Sequence, residues 1–111
     1  PLVGASLWAA KRIVEQGSQF AFPTYTNANK CAANSASGAL NKWLKSRVPE
    51  GCVIHSFRHS LRDRLRAVEC PPDIADAIGG WVPTGVGERY GTGHGLRAKS
   101  GHLEKVINHL G

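Results

Sequence analysis

The run from His55 to Val68, HSFRHSLRDRLRAV, narrows the folds open to this chain more than any other segment. Phe57, Leu61, Leu65 and Val68 recur at i, i+4, i+8 and i+11, the repeat of a single helical face. Arg58, Arg62 and Arg66 each follow an apolar residue by one position. They therefore form a second stripe about 100° further round the axis. The segment predicts a helix with an apolar face to bury and a cationic face beside it. Ser56 or His55 falls at its N-terminal end, where unpaired N–H groups and the helix dipole favour an anion.

The remaining sequence reads as four more helices joined by turn-rich stretches. Leu7, Ala10, Ile13 and Val14 form a helical pattern that starts after Ser6, a natural N-cap, and stops at Gly17. Pro1-Leu2-Val3 reads as the end of a strand, and Gln19 to Pro23 as an extended, proline-ended segment. Thr24 to Ser35 is polar and reads as a surface loop. A helix over Ser37 to Arg47 would turn Leu40, Trp43 and Leu44 inward, with Asn41, Lys42 and Lys45 outside. Pro49-Glu50-Gly51 makes a turn. Cys70-Pro71-Pro72-Asp73 opens a short helix with Ile74, Ala77 and Ile78 facing inward, ended by Gly79-Gly80. Thr84 to Tyr90 and Gly91 to Gly95 read as mobile connections. A last helix over Leu96 to Leu110 carries Leu103, Val106, Ile107 and Leu110 on one face. The fold class is mainly α, about five helices with residual short β strands, in one domain with one modest core.

The 111 residues hold 14 Lys and Arg against 8 Asp and Glu, a formal charge of +6, with 41% hydrophobic residues. That excess favours a polyanionic partner through counterion release. No apolar run is long enough to span a bilayer and no signal pattern opens the chain, so a cytoplasmic protein without a membrane partner is expected. The chain begins at Pro1 and contains no Met, which reads as a piece of a longer protein. Cys31, Cys52 and Cys70 are odd in number and widely spaced, which fits neither a disulfide framework nor a zinc site.

Four side chains could carry chemistry together. Tyr90, in Gly87-Glu88-Arg89-Tyr90-Gly91, offers a nucleophile, although a phenol of pKa about 10 needs help from nearby charge or a base. Arg58 offers a planar fork for two oxygens of a phosphate. His55, one turn earlier, can exchange a proton. Trp81 offers one N–H donor and a large apolar face. Each has a structural reading too: the tyrosine as a surface residue, the tryptophan as core. His55 and His59 stand at i and i+4, but Ser56 occupies the place of the acid in an H-E-x-x-H zinc motif, so no metal site is expected there.

The spacing of the four resembles the tyrosine recombinases, the phage-integrase family. An H-x-x-R box (His55, Arg58) is followed by a tryptophan at a position held in the family by His or Trp (Trp81), then by the tyrosine (Tyr90). The flanking runs H-S-F-R-H, I-A-D-A-I-G-G-W and G-V-G-E-R-Y-G are also similar to those of phage and genomic-island integrases. The resemblance implies the C-terminal part of a catalytic domain, with the first catalytic arginine, the catalytic lysine and the N-terminal DNA-binding domains upstream of residue 1. It implies site-specific recombination through a 3′-phosphotyrosine, with no cofactor, on a double-stranded DNA attachment site held by a homotetrameric synapse. The fragment alone would then be inactive. Lys30, Asn41, Lys42 and Arg62 are expected DNA contacts. Two alternatives stay open, a non-catalytic helical DNA-binding module and a type IB topoisomerase-like strand cleavage.

Overall fold

The computed structural model describes residues 1–81 and 94–109. Among them are α1 (Gly4–Glu15), a hairpin of β1 (Thr26–Asn27) and β2 (Lys30–Cys31), α2 (Ala33–Leu44), α3 (Ser56–Ala67), α4 (Pro72–Gly79) and α5 (Leu96–His109). The chain is mainly helical, as expected. Its tertiary contacts gather it into two compact units, one of Trp8–Phe57 and one of Pro1–Leu7 with Arg58–Gly111. Among the described residues no helix is long and apolar enough to cross a membrane.

No strand forms at 1–3. Helix α1 begins directly after these residues, at Gly4, and Ser6 is not its N-cap. The Ser6 hydroxyl reaches back one turn, donating to the Val3 carbonyl (2.7 Å) and accepting from the Val3 N–H (3.3 Å). This is the return half of a capping box, with serine in the place usually held by Glu or Gln.

In the Trp8–Phe57 unit, the segment 19–23 forms bends and turns, and the strands lie later, inside the stretch read as loop. Thr26 pairs with Cys31 and Asn27 with Lys30 in antiparallel register. The Asn27 side chain closes the turn by accepting the Asn29 N–H at 2.9 Å, local chemistry that competes well in a two-residue connection. Helix α2 then starts four residues before the expected Ser37, because Ala33 to Ala36 are all tolerated in a helix. Only Leu44 of its expected core face is buried; Leu40 and Trp43 are exposed. The Trp43 ring is instead covered by Arg47, whose guanidinium lies 4.4 Å from the ring centroid and donates to the Trp43 carbonyl at 2.7 Å.

The other unit holds the larger core. Leu65, Cys70, Ala75 and Val106 are buried together, with Leu61, Val68, Ile74, Ile78 and Trp81 packed around them. The stripe of α3 therefore does what its spacing asks, except that Phe57, its first member, stays exposed. On α4 the buried alanine is Ala75 and not Ala77, since Ile74, Ala75 and Ile78 share the face that the Pro72 start presents. On α5, Val106 is buried, and Ile107 packs so near Gly4 that a Cβ there would meet its Cδ1 at 2.6 Å. Leu110 and residues 84–93 of the expected connections lie outside the described residues.

Both helices that lead to Trp81 end in left-handed turns. After α3, Glu69 takes φ 54°. The Cys70 N–H then bonds to the Leu65 carbonyl (2.9 Å) and the Glu69 N–H to the Arg66 carbonyl (2.9 Å). These are the two bonds of a Schellman motif, and its usual apolar contact is the buried pair Leu65 and Cys70. After α4, Gly80 takes φ 64°, and the N–H groups of Gly80 and Trp81 both close on the Asp76 carbonyl.

Candidate functional site

Two arginines converge on the ring of Trp81. Trp81 follows the α4 cap, half-buried against the core. Its indole lies directly against Gly79, where a Cβ would overlap the six-membered ring. The Arg58 guanidinium carbon lies 4.8 Å from the Trp81 ring centroid and that of Arg62 lies 5.0 Å from it. Arg58 and Arg62 are one turn apart on α3, so their common direction follows from the helix repeat. That both should meet Trp81, many residues further on, does not follow from any local pattern.

The two arginines are not equivalent. Arg62 Nη2 pairs with Asp76 Oδ1 at 3.4 Å, and the Asp76 side chain is only 12% exposed. Among the described residues no carboxylate pairs with Arg58, which is exposed in the first turn of α3. Two guanidinium groups against one indole, with one carboxylate paired to Arg62, leave net positive charge beside Trp81. Such a spot attracts an oxyanion, and the ring beside it excludes part of the water that would screen the attraction.

His55 is exposed in the turn that enters α3. The backbone of that turn is fixed within its own unit. Ser56 accepts the Val53 N–H through Oγ at 3.0 Å and gives its own N–H to the Val53 carbonyl at 2.8 Å. Asn41 Oδ1 accepts the Ile54 N–H at 2.7 Å. Asn41, expected on the outer face of α2, is therefore half-buried with its amide already used, Nδ2 donating to Ser37 Oγ at 3.4 Å. Lys42 and, on β2, Lys30 are exposed as expected. Tyr90 lies outside the described residues. Among the described residues no group of three or more His, Cys, Asp and Glu could hold a metal ion.

Asp76 escapes a sequence reading because its role depends on a contact with α3, and Gly79 because its role depends on how the Trp81 ring, two residues on, is seated. A further pair joins α4 to the start of α5: His94 Nε2 lies 2.6 Å from Asp73 Oδ2. Partial loss of solvent pushes the Asp73 carboxyl up, but the Ile74 N–H, the His94 hydrogen bond and the His94 charge together hold it below its ordinary value. Cys70 behaves oppositely. Burial, and then the negative charge of Asp73, raise its thiol above the ordinary range, so it packs as a small apolar group that donates weakly to the Pro71 carbonyl. Cys31 and Cys52 are exposed.

No protein-family model matches the chain, and neither the curated proteins nor the solved structures contain a significant match to it.

Proposed function

We propose that this chain forms the C-terminal part of the catalytic domain of a DNA strand transferase of the tyrosine-recombinase type. The observation that carries the reading is the contact of Arg58 with Trp81: two of the four residues singled out by spacing share one surface. An arginine fork beside an indole N–H is suited to a phosphodiester, whose two non-bridging oxygens gain charge as a fifth ligand approaches phosphorus.

In this reaction the Tyr90 oxygen attacks the scissile phosphorus and loses its proton. The bond from phosphorus to the 5′-oxygen breaks, and that oxygen leaves as a hydroxyl after taking up a proton. The product is a 3′-phosphotyrosyl link. One phosphodiester is exchanged for another, so a 5′-hydroxyl from a partner duplex can reverse the step without an energy source. Arg58 clamps the phosphate, His55 handles a proton, and the Trp81 indole N–H donates to a non-bridging oxygen. Site-specific recombination between double-stranded attachment sites, on a homotetramer, is the biological form of this chemistry that the motif resemblance favours. That resemblance also asks for an arginine and a lysine placed before residue 1.

The test uses a chain that includes that arginine and lysine, incubated with a nicked substrate from which the cleaved strand diffuses away. Denaturing gels are expected to show a covalent protein–DNA adduct that Tyr90→Phe abolishes. Tight DNA binding with no adduct would overturn strand transfer and leave a helical DNA-binding module.

A further inference from the structure

Trp81 bears two guanidiniums of the same chemistry, and a phosphate has no reason of its own to choose between them. Both guanidinium carbons lie within 5.0 Å of one ring centroid, so they are at most about 10 Å apart, no more than a Debye length at ordinary ionic strength. Whatever distinguishes them is supplied by their neighbours. Among the described residues the carboxylate paired there is that of Asp76, nearly buried on α4, 3.4 Å from Arg62, and tied through its carbonyl to the backbone N–H of Trp81 itself.

We propose that Asp76 divides the work of the two guanidiniums: it neutralises Arg62 and holds it flat on Trp81 as a positioning residue, leaving Arg58 to take the oxyanion. That the oxyanion is a DNA phosphodiester rests on the reading above; the division itself rests only on the contacts around Trp81. Arg62 then contributes no phosphate contact, contrary to what its place on the cationic stripe suggests. Its role is to cover the ring and to occupy a carboxylate that would otherwise compete for Arg58.

The consequence is a pattern of signs that loss of structure cannot imitate. Asp76→Asn frees Arg62 and gives an anion a second partner, so binding tightens. Arg62→Gln leaves the Asp76 carboxylate unpaired beside Trp81, where it attracts Arg58, so binding weakens. Removing both returns the site to one free guanidinium and no competing charge.

The experiment follows the side-chain Nε–H signals of Arg58 and Arg62 by NMR in the 15N-labelled 111-residue chain, with inorganic phosphate as the probe. In the unsubstituted chain phosphate is expected to move Arg58 and leave Arg62 in place. The phosphate Kd is expected to fall roughly twofold to fivefold in Asp76→Asn, to rise by a similar factor in Arg62→Gln, and to return near the starting value in the double variant. Equal responses of the two arginines in the unsubstituted chain would overturn the proposal, as would single variants that change affinity in the same direction. The comparison within the unsubstituted chain decides the matter even where a variant does not fold. Tyr90 takes no part, so failure to form a DNA adduct would remove the strand-transfer reading and leave this division standing.

Discussion

Trp81 leaves α4 with its ring laid over Gly79 and with Arg58 and Arg62 against it. An exposed glycine in the last turn of a helix would ordinarily gain stability on replacement by alanine, up to about 1 kcal/mol. Here the added methyl has no room unless the indole swings away from the core it packs on. Gly79→Ala is therefore expected to destabilise the protein by about 1–3 kcal/mol, the usual cost of overpacking, as read by urea unfolding. A neutral or stabilising result would mean that the ring is not seated as described. The sequence assigns the pair Gly79-Gly80 to stopping the helix, and within that pair it is Gly80 that holds the left-handed φ. A Gly-Gly pair does not announce which member serves the turn and which makes room for a neighbour.

At the scale of elements, periodicity located the five helices found among the described residues, because an apolar repeat is a local property that burial merely exploits. Boundaries and strands were less legible. The hairpin around Asn27 is closed by a side-chain hydrogen bond, which composition does not reveal. The end of α3 was equally hidden, since a glutamate stands where glycine is the common residue. A left-handed conformation costs a residue with a Cβ about 1–2 kcal/mol, offset in part by the entropy that glycine loses on folding. Glu69→Gly should thus stabilise the chain by about 0.5–1 kcal/mol in urea unfolding while the Cys70-to-Leu65 bond is kept. The α4–α5 link supplies a pH dependence of known sign. Asp73 is held below its ordinary 3.8, so its contribution is complete above that pH and is lost as the pH falls through the lowered folded value. The stability difference between the unsubstituted chain and Asp73→Asn is therefore expected to shrink as the pH falls below 3.8. A difference that persists unchanged at pH 2.5 would show that the carboxylate's charge is not what matters.

For the molecule as a whole, the sequence gives the size of the positive charge, and the division into units shows where it resides. The unit Trp8–Phe57 has six Lys and Arg against two Glu, a surplus of four. The unit with Arg58, Arg62 and Trp81 has eight against six, a surplus of only two. Basic residues of the second unit are also engaged internally, Arg62 with Asp76 and Arg66 with Asp63. Long-range attraction for a polyanion therefore belongs mostly to the unit that lacks Arg58 and Tyr90, while the second unit carries a small net charge, with Arg58 at its indole paired to no carboxylate among the described residues. If the partner is duplex DNA, each phosphate neutralised by a lysine contributes about 0.9 to the slope of log affinity against log salt concentration. Exposed Lys30 and Lys42 are the expected contacts, so the double variant Lys30→Gln/Lys42→Gln should lower that slope by about 1.8. Asn41→Ala serves as the contrast: it removes the acceptor for the Ile54 N–H and should cost about 1–3 kcal/mol of stability with the slope unchanged. Fluorescence anisotropy over a salt series reads the slope, and urea unfolding reads the stability. A slope that ignores both lysines would overturn their assignment as phosphate contacts.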